Sequence, residues 1–304
     1  MAGRLRVAIV INPVAGVGGT LVRARDRAEE AMDLLVAAQV DPDILITAHA
    51  GHGADLARAA VDRGAHVVVA WGGDGTVNEV ATALVGTSTS LAVIPAGSGN
   101  GLARMLKMPT DATRAIGRIL NGSDRTIDAG DIDGHLFVNV AGVGFDAQIA
   151  SAFAAIGRTR RGFLRYGVIV VRQLRRYESR TYTLALEPFD GVPPPTRSHR
   201  AFLLTFANGR QWGNGAIIAP TAELDDGALD AVVVEDRGRM AVLRSIPRLF
   251  TGTIAGGPGV STCRIRSAVI TGDGPLSYHA DGEPHVGGSA LRVSIRSRAL
   301  RLRA

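Results

Sequence analysis

WGGDGT, residues 71–76, closes the apolar run His66-Val67-Val68-Val69-Ala70 and leads straight into the helix-like stretch Val77-Asn78-Glu79-Val80-Ala81-Thr82-Ala83-Leu84. A strand that ends in glycines and turns into a helix presents a row of backbone amides beside the partial positive charge of the helix N-terminus, so the turn can cradle a phosphate. Gly72, Gly73 and Gly75 supply the turn, and Thr76 stands where an N-cap hydroxyl or a phosphate contact belongs. Taken alone, the stretch reads equally well as a tight Asp-Gly turn with a capping threonine. Two other strand ends tip the balance: Asn12-Pro13-Val14-Ala15-Gly16-Val17-Gly18-Gly19 and Pro95-Ala96-Gly97-Ser98-Gly99-Asn100-Gly101. Open α/β sheets bind ligands at the carboxyl ends of their strands. Three amide-rich loops gathered there predict a polyphosphate.

Outward from this turn, residues 1 to about 120 alternate short aliphatic runs with longer helical stretches, the rhythm of a parallel sheet covered by helices. Strands are predicted at Val7–Ile11, Ile44–Thr47, His66–Ala70 and Leu91–Ile94, with amphipathic helices over Leu21–Val40 and Ala54–Arg63. After about residue 126 the rhythm changes to short alternating segments at Thr181–Glu187, Ala201–Phe206, Leu229–Val234, Cys263–Ile270 and Leu291–Ile295, as in an antiparallel sandwich or barrel. The loop Asp190-Gly191-Val192-Pro193-Pro194-Pro195 is too proline-rich for regular structure. A chain of 304 residues has room for the two cores these rhythms imply.

Composition narrows the classes. With 46% hydrophobic and 20% charged residues the chain folds rather than staying disordered. The net charge of +6 rests almost wholly on arginine, Lys107 being the only lysine; arginine-rich codon usage accounts for the bias, and the charge itself favours phosphates and anionic surfaces. A lone cysteine, Cys263, excludes an internal disulfide and points to a reducing cytoplasmic setting. Arg4-Leu5-Arg6 ahead of Val7–Ile11 has the look of a signal peptide, but the apolar run is short and ends in Asn12-Pro13. No apolar stretch approaches the roughly 20 residues of a membrane span, so any membrane contact is expected to be peripheral.

Three motif families are set aside. Neither G-x-x-x-x-G-K-[ST] nor the protein-kinase H-R-D and D-F-G pair occurs. Gly142-Val143-Gly144-Phe145-Asp146-Ala147 matches the dinucleotide fingerprint, but the acidic residue expected about 20 positions later is replaced by an arginine-rich region.

With these residues in hand, the chain resembles the diacylglycerol kinase catalytic-domain family, soluble bacterial lipid kinases related to sphingosine and ceramide kinases. The resemblance runs nearly end to end: Asn12-Pro13…Gly16, Thr47…Gly51-His52…Leu56-Ala57, Gly72-Gly73-Asp74-Gly75-Thr76…Asn78-Glu79, Pro95…Gly97-Ser98-Gly99-Asn100…Leu102-Ala103-Arg104, Asn139…Gly142…Gly144-Phe145-Asp146-Ala147, Asn208-Gly209…Gly213…Gly215…Ala219-Pro220…Leu224…Asp226-Gly227…Leu229-Asp230, and Asp281-Gly282-Glu283. GGDGT alone is shared with NAD kinases and phosphofructokinases; the ordered set is far more specific.

The resemblance implies an N-terminal doubly wound α/β ATP-binding domain, residues 1–125 with 297–304 returning to it, and a C-terminal antiparallel β-sandwich lipid-substrate domain, residues 126–296. It implies ATP and Mg²⁺, with Asn12, Pro13, Gly16, Thr47, Gly72, Gly73, Asp74, Gly75, Thr76, Glu79, Gly97, Ser98, Gly99 and Asn100 around the nucleotide and Asp74 beside the phosphates. The general base is expected at Glu283, then Asp281, with Asp74 the competing assignment. A structural Mg²⁺ is implied at Asp226 with carbonyls of Glu223 and Ala228, against the plain reading of a surface turn.

Arg158 to Arg176 interleaves basic and apolar residues, which suits either a helix in an anionic membrane interface or a core-packed helix with solvated arginines. The expected partners are a nucleotide and a lipid substrate at the inner face of the membrane, with a homodimer implied and no nucleic acid, for which fold and stacking motifs are lacking. One departure stands out: where family members often carry Asp after Gly-x-Gly-Asn, this chain has Gly101, closer to the sphingosine-type loop. A sphingoid-base kinase, an NAD kinase and a catalytically silent lipid- or nucleotide-binding module are the rival expectations.

Overall fold

The computed structural model describes residues 4–16, 19–155, 163–191, 195–213 and 215–304, and the side chains of 163–166 are outside that description. Val17 and Gly18 of the first glycine loop, residues 158–162 of the basic stretch and Val192–Pro194 therefore lie outside the described residues. The chain divides into two compact units, one formed by Met1–Ile127 with Arg298–Ala304, the other by Asp128–Ser297.

The first unit begins β1 (Arg6–Ile11), α1 (Leu21–Ala37), β2 (Asp41–Ile46), α2 (His52–Asp62), β3 (Val67–Gly72), α3 (Asp74–Leu84), β4 (Ser90–Pro95), α4 (Gly101–Met105) and α5 (Ala112–Asn121). Its strands pair in the order β4-β3-β1-β2, all parallel. Strands β3 and β4 are buried along their whole length, which is why they read as unbroken apolar runs rather than alternating ones. Helices α2 and α3 pack against each other, as do α1 and α5. Right-handed crossovers put these two pairs on opposite faces of the sheet. Thr20 caps α1 by accepting the Arg23 amide, and Asp111 caps α5 by accepting that of Arg114. The helix predicted to reach Val40 stops at Ala37, because Gln39 adopts a left-handed φ of 57°.

In this sheet β1 and β3 are neighbours, and the chain leaves β1 toward β2 on one side and reaches β3 and β4 on the other. That reversal creates a crevice at the carboxyl ends of β1 and β3. The residues at its rim are Asn12 and Gly73-Asp74.

The second unit is built on antiparallel strands. In chain order it contains β5 (Asp124–Ile132, which starts in the first unit), β6 (His135–Phe137), β7 (Val140–Gly144), α6 (Phe145–Ala155), α7 (Phe163–Arg176), β8 (Arg180–Pro188), β9 (Arg197–Ala207), the short pair β10 (Gln211–Gly213) and β11 (Ala216–Ile217), β12 (Leu229–Glu235), α8 (Arg239–Thr251), β13 (Val260–Gly272), β14 (Ser277–Ala280), β15 (Glu283–Val286) and β16 (Ala290–Arg303). The long strands β9 and β13 each pair with both β12 and β8, so the four close into a ring. Its interior holds Phe137, Tyr182, Leu204, Phe206, Ile265, Ile270 and Tyr278 among other buried side chains. A register shift opposite Val234 and Glu235 turns both Phe202 and Leu203 to a second cluster, where Phe145, Ile149 and Leu174 bring in α6 and α7. The last residues of β16, Arg301 and Leu302, pair in parallel with Ser90 and Leu91 of β4, inside the first unit.

Helices α6 and α8 were not foreseen from the sequence. Among the described residues no helix is long and apolar enough to cross a membrane.

Candidate active site

The carboxyl ends of β1 to β4 carry the predicted loops and are tied to one another by main-chain bonds that continue the ladder: the Asn12 amide donates to Trp71 O, the Thr47 amide to Ile11 O and the Ala96 amide to Gly72 O, all at 2.8–3.0 Å. Across the crevice, Asn12 Nδ2 donates to Thr76 Oγ1 at 2.9 Å. Asn12 Oδ1 accepts the Val14 amide at 3.1 Å, which folds its own loop into an Asx turn.

Asp74 is the hub. It is the first residue of α3, and its two oxygens accept the Asn100 amide at 2.9 Å and the Gly101 amide at 2.7 Å, at the start of α4. One carboxylate thereby fixes the spacing of the two glycine loops, and negative charge at a helix N-terminus is favourable. Asn100 holds the second loop from within: it sits at φ 53°, accepts the Gly97 amide and donates to Gly97 O. Asn tolerates that left-handed conformation better than most residues.

Glycine at 97 is required by approach rather than by φ. A Cβ there would lie 2.6 Å from Gly73 Cα. We expect Gly97→Ala to push the loops apart and cost about 1–3 kcal/mol of stability, as overpacking does. A melting temperature equal to the wild-type value would show that the contact is slack. Gly16 combines both demands, with φ of 88° and a would-be Cβ 2.8 Å from Ala96 O.

Thr47, Gly72, Gly75 and Ser98 lie in these same loops, Thr47 buried and Ser98 exposed. Pro13 is buried beneath the first loop. Glu79, expected near the nucleotide, has a structural duty at the next loop. Its carboxylate oxygens accept the Gly51 and Gly53 amides, each at 2.9 Å, and so hold the N-terminus of α2.

In the second unit, Asp281 and Gly282 form the two-residue turn between β14 and β15, with φ of 48° and 86°, as a type I′ turn demands. Asp281 and Glu283 stand in different surroundings. Asp281 accepts the Val138, Asn139 and Val140 amides at 2.7–3.0 Å, so it locks the hairpin to the start of β7. Glu283 is exposed at the head of β15, and no hydrogen bond or ion pair engages its carboxylate among the described residues.

Beneath the turn lies a pair that sequence reading passed over. His279 Nδ1 accepts the Gly282 amide at 3.2 Å, and its Nε2 faces Asp146 Oδ2 at 3.4 Å, with both side chains almost fully buried. An acceptor Nδ1 places the ring proton on Nε2, toward Asp146. Thr205 Oγ1 also donates to Asp146 Oδ2, at 3.2 Å. A Cβ at Gly142 would collide with Asp146 Oδ2. The first glycine of the apparent dinucleotide fingerprint, Gly142, thus makes room for a buried Asp–His pair, on a strand whose partners are antiparallel.

His285, two residues beyond Glu283, stacks its ring on that of His135 with centroids 3.7 Å apart. Burial, with His135 and His279 nearby, holds its imidazole below the ordinary value. The native state therefore binds fewer protons than the unfolded chain, and the associated stability is full above about pH 6.5 and lost as pH falls through the lowered value. The melting temperature should fall on acidification below about pH 6.5, and His285→Gln should flatten that fall. An unaltered slope in the variant would assign it to other groups.

The expected structural metal site does not fit the arrangement seen. Asp226 Oδ2 is paired with Arg264 Nη2 at 2.6 Å and its Oδ1 accepts the Ala228 amide at 3.1 Å, so a guanidinium already neutralises this carboxylate. The Glu223 side chain faces Arg210 at 3.8 Å. The turn is held by buried Asp128, whose amide donates to Leu224 O and whose Oδ2 accepts the Gly227 amide. Among the described residues, no group of three or more His, Cys, Asp or Glu side chains is placed to hold a metal. Asp74 is the carboxylate whose place suits Mg²⁺: it is partly exposed, and an acidic oxygen among amide-rich loops is the donor type that a hard cation takes.

Comparison with known proteins agrees with this anatomy. The family model for a diacylglycerol kinase catalytic domain matches residues 6–132, and that for the YegS C-terminal NAD kinase beta sandwich-like domain matches residues 139–304. The chain is 30% identical over 294 residues to a diacylglycerol kinase of Mycobacterium tuberculosis, covering 93% of this chain and 92% of that one. It is 31% identical over 268 residues to a Pseudomonas syringae protein named probable lipid kinase YegS-like, covering 85% and 82%. A crystal structure of a diacylglycerol kinase from Bacillus anthracis superposes with a TM-score of 0.71 at 20% identity, covering 99% and 97%, a likeness of fold.

Proposed function

We propose, from the premise that the chain belongs to the diacylglycerol kinase family of lipid kinases, that it transfers the γ-phosphate of ATP to the hydroxyl of a lipid alcohol, diacylglycerol first, giving phosphatidic acid. The observation that carries this reading is the Asp74 carboxylate tying the two glycine loops together at the carboxyl ends of parallel strands. A site of this kind offers aligned amides and a fixed carboxylate, and phosphoryl transfer asks for little else.

The amides of the Gly72–Gly75 turn and of Ser98 and Gly99 bind and orient the phosphates of ATP, the substrate, with Asn12 and Thr76 lining the crevice between β1 and β3. Asp74 would hold Mg²⁺, which when bound offsets phosphate charge. Glu283 takes the proton of the acceptor hydroxyl as its oxygen bonds to the γ-phosphorus and the bond from that phosphorus to the β-bridging oxygen breaks, releasing ADP. Asp281, through its three amides, and His279, through the Gly282 amide, position Glu283 rather than reacting themselves. Access to a lipid acceptor asks for work at the inner face of the membrane, as a peripheral protein.

Gly101, where family members often carry Asp, keeps sphingoid bases among the acceptors to be tried. The test is transfer of labelled γ-phosphate from ATP, with Mg²⁺, to mixed micelles of diacylglycerol, monoacylglycerol, a sphingoid base, ceramide or phosphatidylglycerol, with NAD as a soluble control. Label in diacylglycerol supports the reading in full. Label in another lipid moves the acceptor, label in NAD alone replaces the lipid with a nucleotide, and label nowhere favours a silent binding module.

A further inference from the structure

We propose that α8, rather than the arginine-rich stretch around α7 alone, is the element by which this protein docks on an anionic bilayer. The proposal rests on the lipid-kinase reading for its biological sense, but not for its physics. Helix α8 has no fully buried residue. Its core contacts are Val242 and Leu249, seven positions apart and so on one face. On the outer side, Met240, Leu243, Ile246 and Phe250 follow at intervals of three and four, and are 61%, 41%, 36% and 56% exposed. Four large apolar side chains left in water on one helix are more than scattered surface hydrophobics.

The charge around this stripe says what covers it. From Arg237 to Gly272 the chain carries no Asp or Glu, while Arg237, Arg239, Arg244 and Arg248 surround the stripe. None of these four has a carboxylate partner among the described residues. An apolar stripe between unpaired arginines is the composition of an interfacial helix on anionic lipid. A second copy fits poorly, because a twofold contact through this face would set arginines against arginines. Helix α7 packs on the same buried cluster as Val242, through Ile169, Val170 and Leu174, and leaves Val168 and Val171 exposed beside Arg172 and Arg175. The two helices thus share one buried cluster, and each leaves apolar and basic side chains exposed.

The test is sedimentation of the full chain with vesicles of phosphatidylcholine alone or with phosphatidylglycerol, for wild type, Met240→Ser/Phe250→Ser and Arg239→Gln/Arg244→Gln. Wild type should pellet with the anionic vesicles. The arginine variant should bind them about 30-fold more weakly, and the apolar variant about 100-fold more weakly. Phosphate transfer to a short-chain diacylglycerol below its micelle concentration, without vesicles, should be equal in all three proteins. Variants that bind vesicles as wild type does overturn the docking proposal. A wild-type mass of two chains in light scattering that falls to one chain in the apolar variant also overturns it. Loss of vesicle binding together with absence of transfer by wild type to every acceptor leaves the docking standing and sinks the kinase reading.

Discussion

Asp74→Asn is expected to lower kcat/KM about 10²- to 10³-fold, the range found when one preorganised electrostatic contact is removed from a site of this kind. The expectation follows from hydrogen-bond polarity. Asp74 accepts two amides, one on each oxygen, and an asparagine supplies only one accepting oxygen. Its amide nitrogen would face an N–H, so either Asn100 or Gly101 loses its partner and the loops lose their common anchor. An unsatisfied donor costs about 1–3 kcal/mol, so the melting temperature should fall as well. The measurement is single-turnover transfer at saturating ATP, paired with the affinity of a non-hydrolysable analogue. Both should worsen, because geometry and charge are lost together. Transfer at the wild-type rate would mean that the bridge is ornamental and that the glycine loops hold phosphate without it.

The parallel half of the fold was legible because both faces of its sheet are covered. Strands buried on both sides must be aliphatic throughout, and their ends must turn in glycine, so Val67–Gly72 and the loop after it identify themselves. The Asp-Gly of residues 281 and 282 was legible as a turn, since only a few residues accept positive φ. What Asp281 binds was not, because its three amides come from a strand start more than 140 positions away. The Asp146–His279 pair hid for the same reason: the missing acidic residue told against a dinucleotide fingerprint at Gly142, but the pairing of distant strands was needed to show what that glycine makes room for. Asp226 looked like a metal ligand because an acidic tight turn reads the same with a cation or with the guanidinium of Arg264 beside it. Helix α8 was obscured by Pro247 within it and by an apolar pattern that faces water as well as core.

Glu283→Gln should cost about 10²- to 10⁴-fold in kcat, the usual worth of general-base catalysis, while leaving affinity for ATP nearly unchanged. Among the three carboxylates named as candidates for the base, it alone has no amide on its oxygens. Asp74 is committed to two amides and Asp281 to three. A base must be free to receive a proton and then release it, and a carboxylate that anchors a turn would break its own scaffold by doing so. Asp281→Asn therefore makes the informative comparison. It should lower the melting temperature, since one accepting oxygen cannot serve three amides, and lower activity through misplacement of Glu283. Glu283→Gln should leave the stability within about 0.5 kcal/mol of wild type, as exposed substitutions generally do. The pH–rate profile adds a readout that a structural role would not move: the acid limb of kcat/KM belongs to the base and should vanish in Glu283→Gln but persist in Asp281→Asn. Near-normal turnover of Glu283→Gln would return the proton to Asp74 and make the exposed carboxylate at the head of β15 a bystander.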